Sequence, residues 1–249
     1  MLPPAHPQRV PNLPRDSQHP PRGRHIAGVD EAGRGPWAGP VVAAAVILRT
    51  SSLPVRIDDS KRLSLAQRTR AFKVILDHAE VGVGIVCAEE IDRRNILQAT
   101  LLAMQEAILD LPQVPDLVLV DGTVAPPVDM PCQPIVHGDQ RSYVISCASI
   151  IAKVLRDRLM DFYHELDPRY AFHQHKGYGT ALHAARLQQW GPSLWHRRSF
   201  RPVLATILEA SSFYGGRACR GGSARGPSFG VPLAEPPASP AAMTEPVLE

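Results

Sequence analysis

The chain has 249 residues, 44% of them hydrophobic and 20% charged, with a net charge of +3 and a pI near 8.8. This suits one large globular domain or two small ones, and the mildly basic balance permits a nucleic-acid partner without demanding one. The four cysteines are scattered without CxxC or Cys/His ligand spacing, which supports neither a zinc site nor a disulfide framework, and no apolar run reaches the roughly 18 residues of a membrane-spanning helix.

Residues 1–24 are rich in proline and polar side chains and show no periodicity. They read as a disordered arm, and the lack of an apolar h-region argues against a secretory signal. The cytoplasm, where thiols stay reduced, is the expected compartment. A first strand is expected over 25–30, running out into Gly28-Val29-Asp30-Glu31-Ala32-Gly33-Arg34-Gly35. Adjacent carboxylates on a strand point to opposite faces. Asp30 and Glu31 therefore serve one site only if the strand ends or turns there, and Gly33 supplies the turn. A bare Asp-Glu pair is most often a solvated strand end. Here, glycine on both sides of Arg34 lets a ligand approach the main chain closely. A phosphate beside two carboxylates needs a cation between them, and magnesium or manganese prefers oxygen ligands.

A second, almost wholly apolar strand spans 41–48. Ser64 is placed to cap a helix that follows to about residue 79. The preceding loop sets Ser60 and Lys61 near that helix start, where a hydroxyl, an ammonium and free amides suit a phosphate. Alone, such a loop is an ordinary capped turn. A third strand is expected over 81–88. One long helix is expected over 89–111, from apolar residues at helical spacing, ended by Pro112 and Pro115. Residues 117–120 form a fully apolar strand that delivers Asp121-Gly122 at its end, and sites in open α/β sheets gather at strand ends. A further strand over 133–136 leads to His137-Gly138-Asp139. The helix expected over 143–160 carries Ser146, Cys147, Ala148 and Ser149, small enough to lie against another backbone. Asp157 in that helix reads as a surface ion-pair former and ranks below Asp139 as a metal ligand.

Asp167-Pro168 marks a break. The segment 173–180, HQHKGYGT, joins a cationic Lys176 to the flat ring of Tyr178. That suits a nucleic-acid backbone and sugar better than zinc, since no third soft ligand accompanies the two histidines. Thr180 is placed to cap a last helix over 181–190, and HRRSF at 196–200 adds a basic patch. Residues 214–249 are Gly-, Ala-, Pro- and Ser-rich and read as a disordered tail. The ordered domain is thus about 25–213.

Together, GVDEAGRGPWAGPVVAAAVIL, DSKRLS, EEIDRRNIL, VDG, HGD, CASIIAKVLRDR, DPRYAFHQHKGYGT and HRRSFRPV resemble, in content and order, the ribonuclease HII family (type 2 ribonuclease H). The resemblance implies an α/β, ribonuclease H-like fold: a central mixed β-sheet flanked by helices, with a helical C-terminal part. It implies a catalytic and metal-binding quartet, Asp30, Glu31, Asp121 and Asp139, holding two divalent ions, Mn2+ or Mg2+. The loop Gly33, Arg34, Gly35 would read a ribose 2′-hydroxyl, and Tyr178 would stack on the neighbouring deoxy sugar. Lys61, with Ser60 and Lys176, would hold the substrate backbone. The implied substrates are RNA–DNA hybrids and duplex DNA with embedded ribonucleotides, cut on the 5′ side to leave 3′-hydroxyl and 5′-phosphate ends. The implied roles are ribonucleotide removal and RNA primer removal, with a monomer as the default. His137 departs from the usual lysine, Ser146 and Cys147 from alanines, and Ala171 from a glycine, none of them a ligand position. Two other readings, a DNA endonuclease and a non-catalytic binding module, need neither a 2′-hydroxyl-reading loop nor, for the second, the carboxylates.

Overall fold

The structure, a computed structural model, describes residues 25–215. The arm expected over 1–24 and all of the expected tail beyond 215 lie outside the described residues. Five strands form one sheet in the order β3-β2-β1-β4-β5: β1 (Ile26–Ala32), β2 (Val41–Leu48), β3 (Ala79–Val86), β4 (Leu117–Asp121) and β5 (Cys132–Ile135). The helices are α1 (Leu65–His78), α2 (Ala88–Arg94), α3 (Ile96–Leu109), α4 (Gly138–Arg141), α5 (Tyr143–Leu166), α6 (Phe172–His175), α7 (Ala181–Trp190) and α8 (Arg201–Gly215), with a 3₁₀ turn at Pro168–Tyr170. Strands β1, β2 and β3 pair antiparallel, while β1–β4 and β4–β5 pair parallel. The sheet is therefore mixed, and the parallel step from β1 to β4 is carried by the β2–α1–β3–α2–α3 connection.

Strand β2 reads VVAAAVIL because both its faces are covered. Ala44 and Val46 share a core with Phe72 and Ile75 of α1 and with Ile150 and Ile151 of α5. The alternate residues Ala43, Ala45 and Ile47 share the opposite core with Ala103, Met104 and Ile108 of α3. The C-terminal helices close a third cluster around Ala38, Met160, Tyr170 and Phe172. Helix α5 does lie against a backbone, as its small residues predict. A Cβ on Gly28 of β1 would stand 2.4 Å from the carbonyl carbon of Val144, so only glycine lets helix and strand meet there.

Several boundaries differ from the sequence-based expectation. Strand β1 continues through both carboxylates, with Asp30 opposite Ala44, Glu31 opposite Ala43 and Ala32 opposite Val42. Strand β3 starts two residues early, at Ala79, and α5 runs on to Leu166. Helix α7 has the expected Thr180 cap but is not the last, since α8 follows it and extends past residue 213. The long helix expected over 89–111 is two helices broken at Asn95, whose φ is 74°. Its side chain accepts from the Leu97 and Gln98 amides at 3.0 and 3.1 Å, and its own N–H closes α2 on the Ile91 carbonyl. With ψ at 162°, this is a backbone that side chains other than glycine rarely adopt, so the caps on both helices hold it in place. Asn95→Ala removes the cap that holds this backbone. It is expected to destabilise the fold by about 2 kcal/mol, read as a lower urea midpoint at unchanged slope.

Candidate active site

Strands β1 and β4 run in parallel with Val29 opposite Val120. One step further along each stand Asp30 and Asp121. Alternation puts Asp30 on the same face as Gly28, toward α5, whose Ser149 lines the same cavity. Asp30, Glu31 and Asp121 each offer a carboxylate oxygen, and these oxygens all lie within 4.8 Å of one another. The two neighbours thus meet without the strand ending first. The ladder to β4 stops at Val29 while that to β2 continues, so β1 is open on one side where the carboxylates gather.

Asp30 is almost fully buried, and its Oδ1 accepts the Glu31 amide at 2.7 Å. Oδ1 of Asp121 accepts the Gly138 amide at 2.6 Å, which ties the end of β4 to the start of α4. That short helix begins after His137, at φ 55°, and carries Asp139 in its first turn. Asp139 is buried and lines the same cavity, but among the described residues it stands outside the three-carboxylate group. Its backbone carbonyl accepts the Ser146 hydroxyl at 2.7 Å.

Burial, then the charges of Glu31 and Asp121, holds the Asp30 carboxyl well above the usual range. Burial also raises Glu31, opposed by the Arg34 guanidinium, whose Nη1 is 3.5 Å from Oε1. Asp139 is raised by burial and by Asp121 and Asp59. Crowded oxygens, those of Asp30 buried and those of Glu31 and Asp121 half-buried, with no soft donor among them, fit a hard divalent cation such as Mg2+ or Mn2+.

The same crowding gives a pH dependence. A raised Asp30 binds its proton more tightly in the folded, metal-free protein than in the unfolded chain. Above about pH 3.9, the ordinary aspartate value, stability therefore falls with rising pH until the folded-state group has also ionised. Asp30→Asn is expected to flatten this slope and raise the melting midpoint of the metal-free protein at neutral pH. Thermal unfolding at pH 5 and pH 8 checks it; a lower midpoint in the variant at pH 8 would refute the burial penalty.

The cavity is also lined by Gly33, Arg34, Gly35, Ser60, Lys61 and Tyr178, the places read from the sequence. Ser60 and Lys61, however, sit in a turn ahead of α1 and not at its N-terminus. Ser60 Oγ is 3.0 Å from Ser149 Oγ, and Asp59 Oδ1 accepts the Lys61 amide at 2.9 Å, so side chains shape this loop rather than free helix amides. Lys176 does not line the cavity. Its ammonium pairs with Asp161 of α5. Asp157 is an ion-pair former as read, 2.8 Å from Lys153 and 3.8 Å from Arg68.

Sequence reasoning missed Ser149 and Lys153, which line the cavity, and two buried arginines beneath the loop. Arg156 donates to the carbonyls of Pro40 and Ala38 at 3.0 and 3.1 Å. Arg197 donates to those of Gly39, Arg34 and Gly33 at 2.9, 3.0 and 2.5 Å. Burial and the neighbouring Arg156 draw Arg197 down to about 9, so it stays charged at neutral pH. HRRSF is therefore no surface patch at its centre: Arg197 is fully buried, and the amides of Arg198 and Ser199 are held by Asp92. Gly33 completes the loop at φ 103°, where a Cβ would stand 2.1 Å from Arg156 Nε.

Carboxylates gathered on neighbouring strands of a mixed sheet with helices on both faces suit a metal-dependent phosphodiester hydrolase. A family model described as ribonuclease HII matches residues 27–204, and the chain belongs to the ribonuclease HII family. Ribonuclease HII of Chlamydia muridarum (strain MoPn / Nigg) is 53% identical over 186 residues, 74% of this chain and 85% of its own length. Ribonuclease HII 1 of Methylibium petroleiphilum is 53% identical over 187 residues, 75% of this chain and 94% of its own. The crystal structure of ribonuclease H2 from Pyrococcus horikoshii OT3 superposes with a TM-score of 0.63 at 25% identity, covering 74% of this chain and 97% of that one. The chain is thus a ribonuclease H, an endonuclease acting on RNA–DNA hybrids. No helix among the described residues is long and apolar enough to cross a membrane.

Proposed function

We propose that the enzyme cuts 5′ to single ribonucleotides embedded in duplex DNA as well as within longer hybrids, leaving 3′-hydroxyl and 5′-phosphate ends. The observation that carries this reading is the group of Asp30, Glu31 and Asp121 oxygens within 4.8 Å, opening on the cavity that the Gly33–Gly35 loop and the Tyr178 ring also line. These carboxylates, with Asp139 beside them, would hold two divalent ions, Mg2+ or Mn2+. Such ions, when bound, polarise a phosphoryl oxygen and supply a nucleophile at neutral pH. The protein's own groups do the rest. Lys61 and Lys153 bring cations to the cavity for the substrate phosphates. Main-chain groups of the loop read the 2′-hydroxyl, which is both donor and acceptor, without regard to base.

Tyr178 is 44% exposed, and its Cε1 lies 3.8 Å from where a Gly35 Cβ would be, so ring and loop face one nucleotide step together. A ring packed on the next sugar favours a deoxy nucleotide, and the pair would recognise an RNA-to-DNA junction. This activity suits ribonucleotide removal from DNA and removal of RNA primers. The test uses a labelled DNA duplex with one ribonucleotide, an all-DNA control and a long hybrid, with magnesium or manganese. A single metal-dependent cut 5′ to the ribonucleotide is expected. Tyr178→Ala should slow that cut by about tenfold or more, the worth of one stacking contact. Cleavage of the hybrid alone would refute junction recognition.

A further inference from the structure

Three segments around the cavity mouth are joined by their main chains. The Trp37 amide donates to the Gly177 carbonyl, the Gly39 amide to Trp195 and the Arg197 amide to Trp37, each at 2.8 Å, and Ala38 bridges His196. One further link is made by side chains alone. Nε2 of His183 in α7 lies 3.0 Å from Nε2 of His196, and both rings are buried.

An imidazole–imidazole hydrogen bond needs one proton and one lone pair, and the outer partners decide which ring holds which. The Tyr178 carbonyl only accepts, so His183 Nδ1, 2.9 Å away, carries its proton and His183 Nε2 is a lone pair. The Ser193 amide donates to His196 Nδ1 at 3.0 Å, so the proton of His196 is on Nε2. The chain runs from Ser193 through His196 and His183 to the Tyr178 carbonyl with every nitrogen used and both rings neutral. A proton added to either ring would set two N–H groups face to face. Burial, above all, holds His183 to about 4 and His196 to about 3, which keeps both neutral at physiological pH.

We propose that this neutral imidazole pair is a positioning device: it fixes the Tyr178 turn relative to the Gly33–Gly39 loop and so sets selectivity for the RNA-to-DNA junction. The proposal rests on the reading of that ring and loop as the junction reader. Neither histidine lines the cavity, so both act through Tyr178 and Ala38 rather than on substrate. Apolar side chains would fill the same space without desolvating four polar atoms. What the pair adds is a directional link of fixed length between two reading elements.

The test compares kcat/KM on a single-ribonucleotide duplex and on a long hybrid. The variants are His196→Leu, His183→Asn, His196→Gln and Tyr178→Ala. His196→Leu and His183→Asn both cut the link, and the second keeps an amide donor for the Tyr178 carbonyl. The ratio of the two activities is expected to fall about tenfold in both, the net worth of one hydrogen bond. His196→Gln can place an amide N–H where Nε2–H stood, and should restore most of the ratio. An equal fall on both substrates means a merely structural role and overturns the proposal. An unchanged ratio in the histidine variants beside a loss in Tyr178→Ala overturns the positioning role and leaves the junction reader standing. An unchanged ratio in Tyr178→Ala overturns the reader and the proposal with it. Should the variants not fold, imidazole nitrogen NMR of the wild type at pH 7 decides. Nδ1–H on His183 with Nε2–H on His196 is expected, and any other tautomer pair, or a charged ring, overturns the proposal.

Discussion

Asp121→Asn is expected to lower hydrolysis of an RNA–DNA hybrid by about a thousandfold, equal to about 4 kcal/mol of barrier. The substitution is nearly isosteric. An asparagine oxygen can still accept the Gly138 amide that Asp121 now takes at 2.6 Å, so the join between β4 and α4 survives. What is lost is one full charge among three carboxylates within 4.8 Å. A bound cation contributes several kcal/mol of transition-state stabilisation, and that contribution falls with the charge that holds it. Single-turnover cleavage measures the rate, Mn2+ titration calorimetry the binding, and circular dichroism the fold. An intact fold with less than a tenfold loss would remove Asp121 from the ligand set.

Arg197→Met is expected to be the most damaging single change to the loop that faces substrate. The guanidinium is fully buried and holds three carbonyls, those of Gly33, Arg34 and Gly39. Removing it strands two buried carbonyls, those of Gly33 and Gly39, and the part-buried one of Arg34, an effect on the order of 3–5 kcal/mol. At roughly 2–4 °C per kcal/mol for a domain of this size, the melting midpoint should drop by about 10 °C. Arg197→Lys should recover only part of this, because one ammonium cannot present a rigid fork to three carbonyls. A shift smaller than about 2 °C in Arg197→Met would show that water replaces the lost donors and that the loop needs no such support.

Much of the site was legible because its signals are local. Strands β2 and β4 are apolar runs, and Asp30, Glu31 and Asp121 follow from where such runs give way to glycine. The Thr180 and Ser64 caps were visible for the same reason: an oxygen ahead of a periodic segment marks a helix start. What stayed hidden depends on distant partners. The break at Asn95 lies inside an unbroken apolar period, and nothing local shows that an asparagine takes φ 74°. Arg197 looks like a surface cation until the carbonyls it meets, from residues 33–39, are known. Lys176 looks available until Asp161, about two turns of α5 beyond the cavity-lining Lys153, is seen beside it. Strand β1 runs past Asp30 and Glu31 although alternation points adjacent side chains to opposite faces. In the fold, only one edge of that strand had to be released.

The parallel pairing of β1 with β4 bears on when the enzyme comes into being. Strands β1, β2 and β3 form a sequential antiparallel meander that needs nothing downstream in the sheet. Joining Val29 to Val120 must instead close a loop containing that meander and three helices, a non-local and slow event. On a ribosome, Asp30 and Glu31 emerge well before Asp121. The growing chain thus carries two acids and no cutting centre until the middle of the sheet closes.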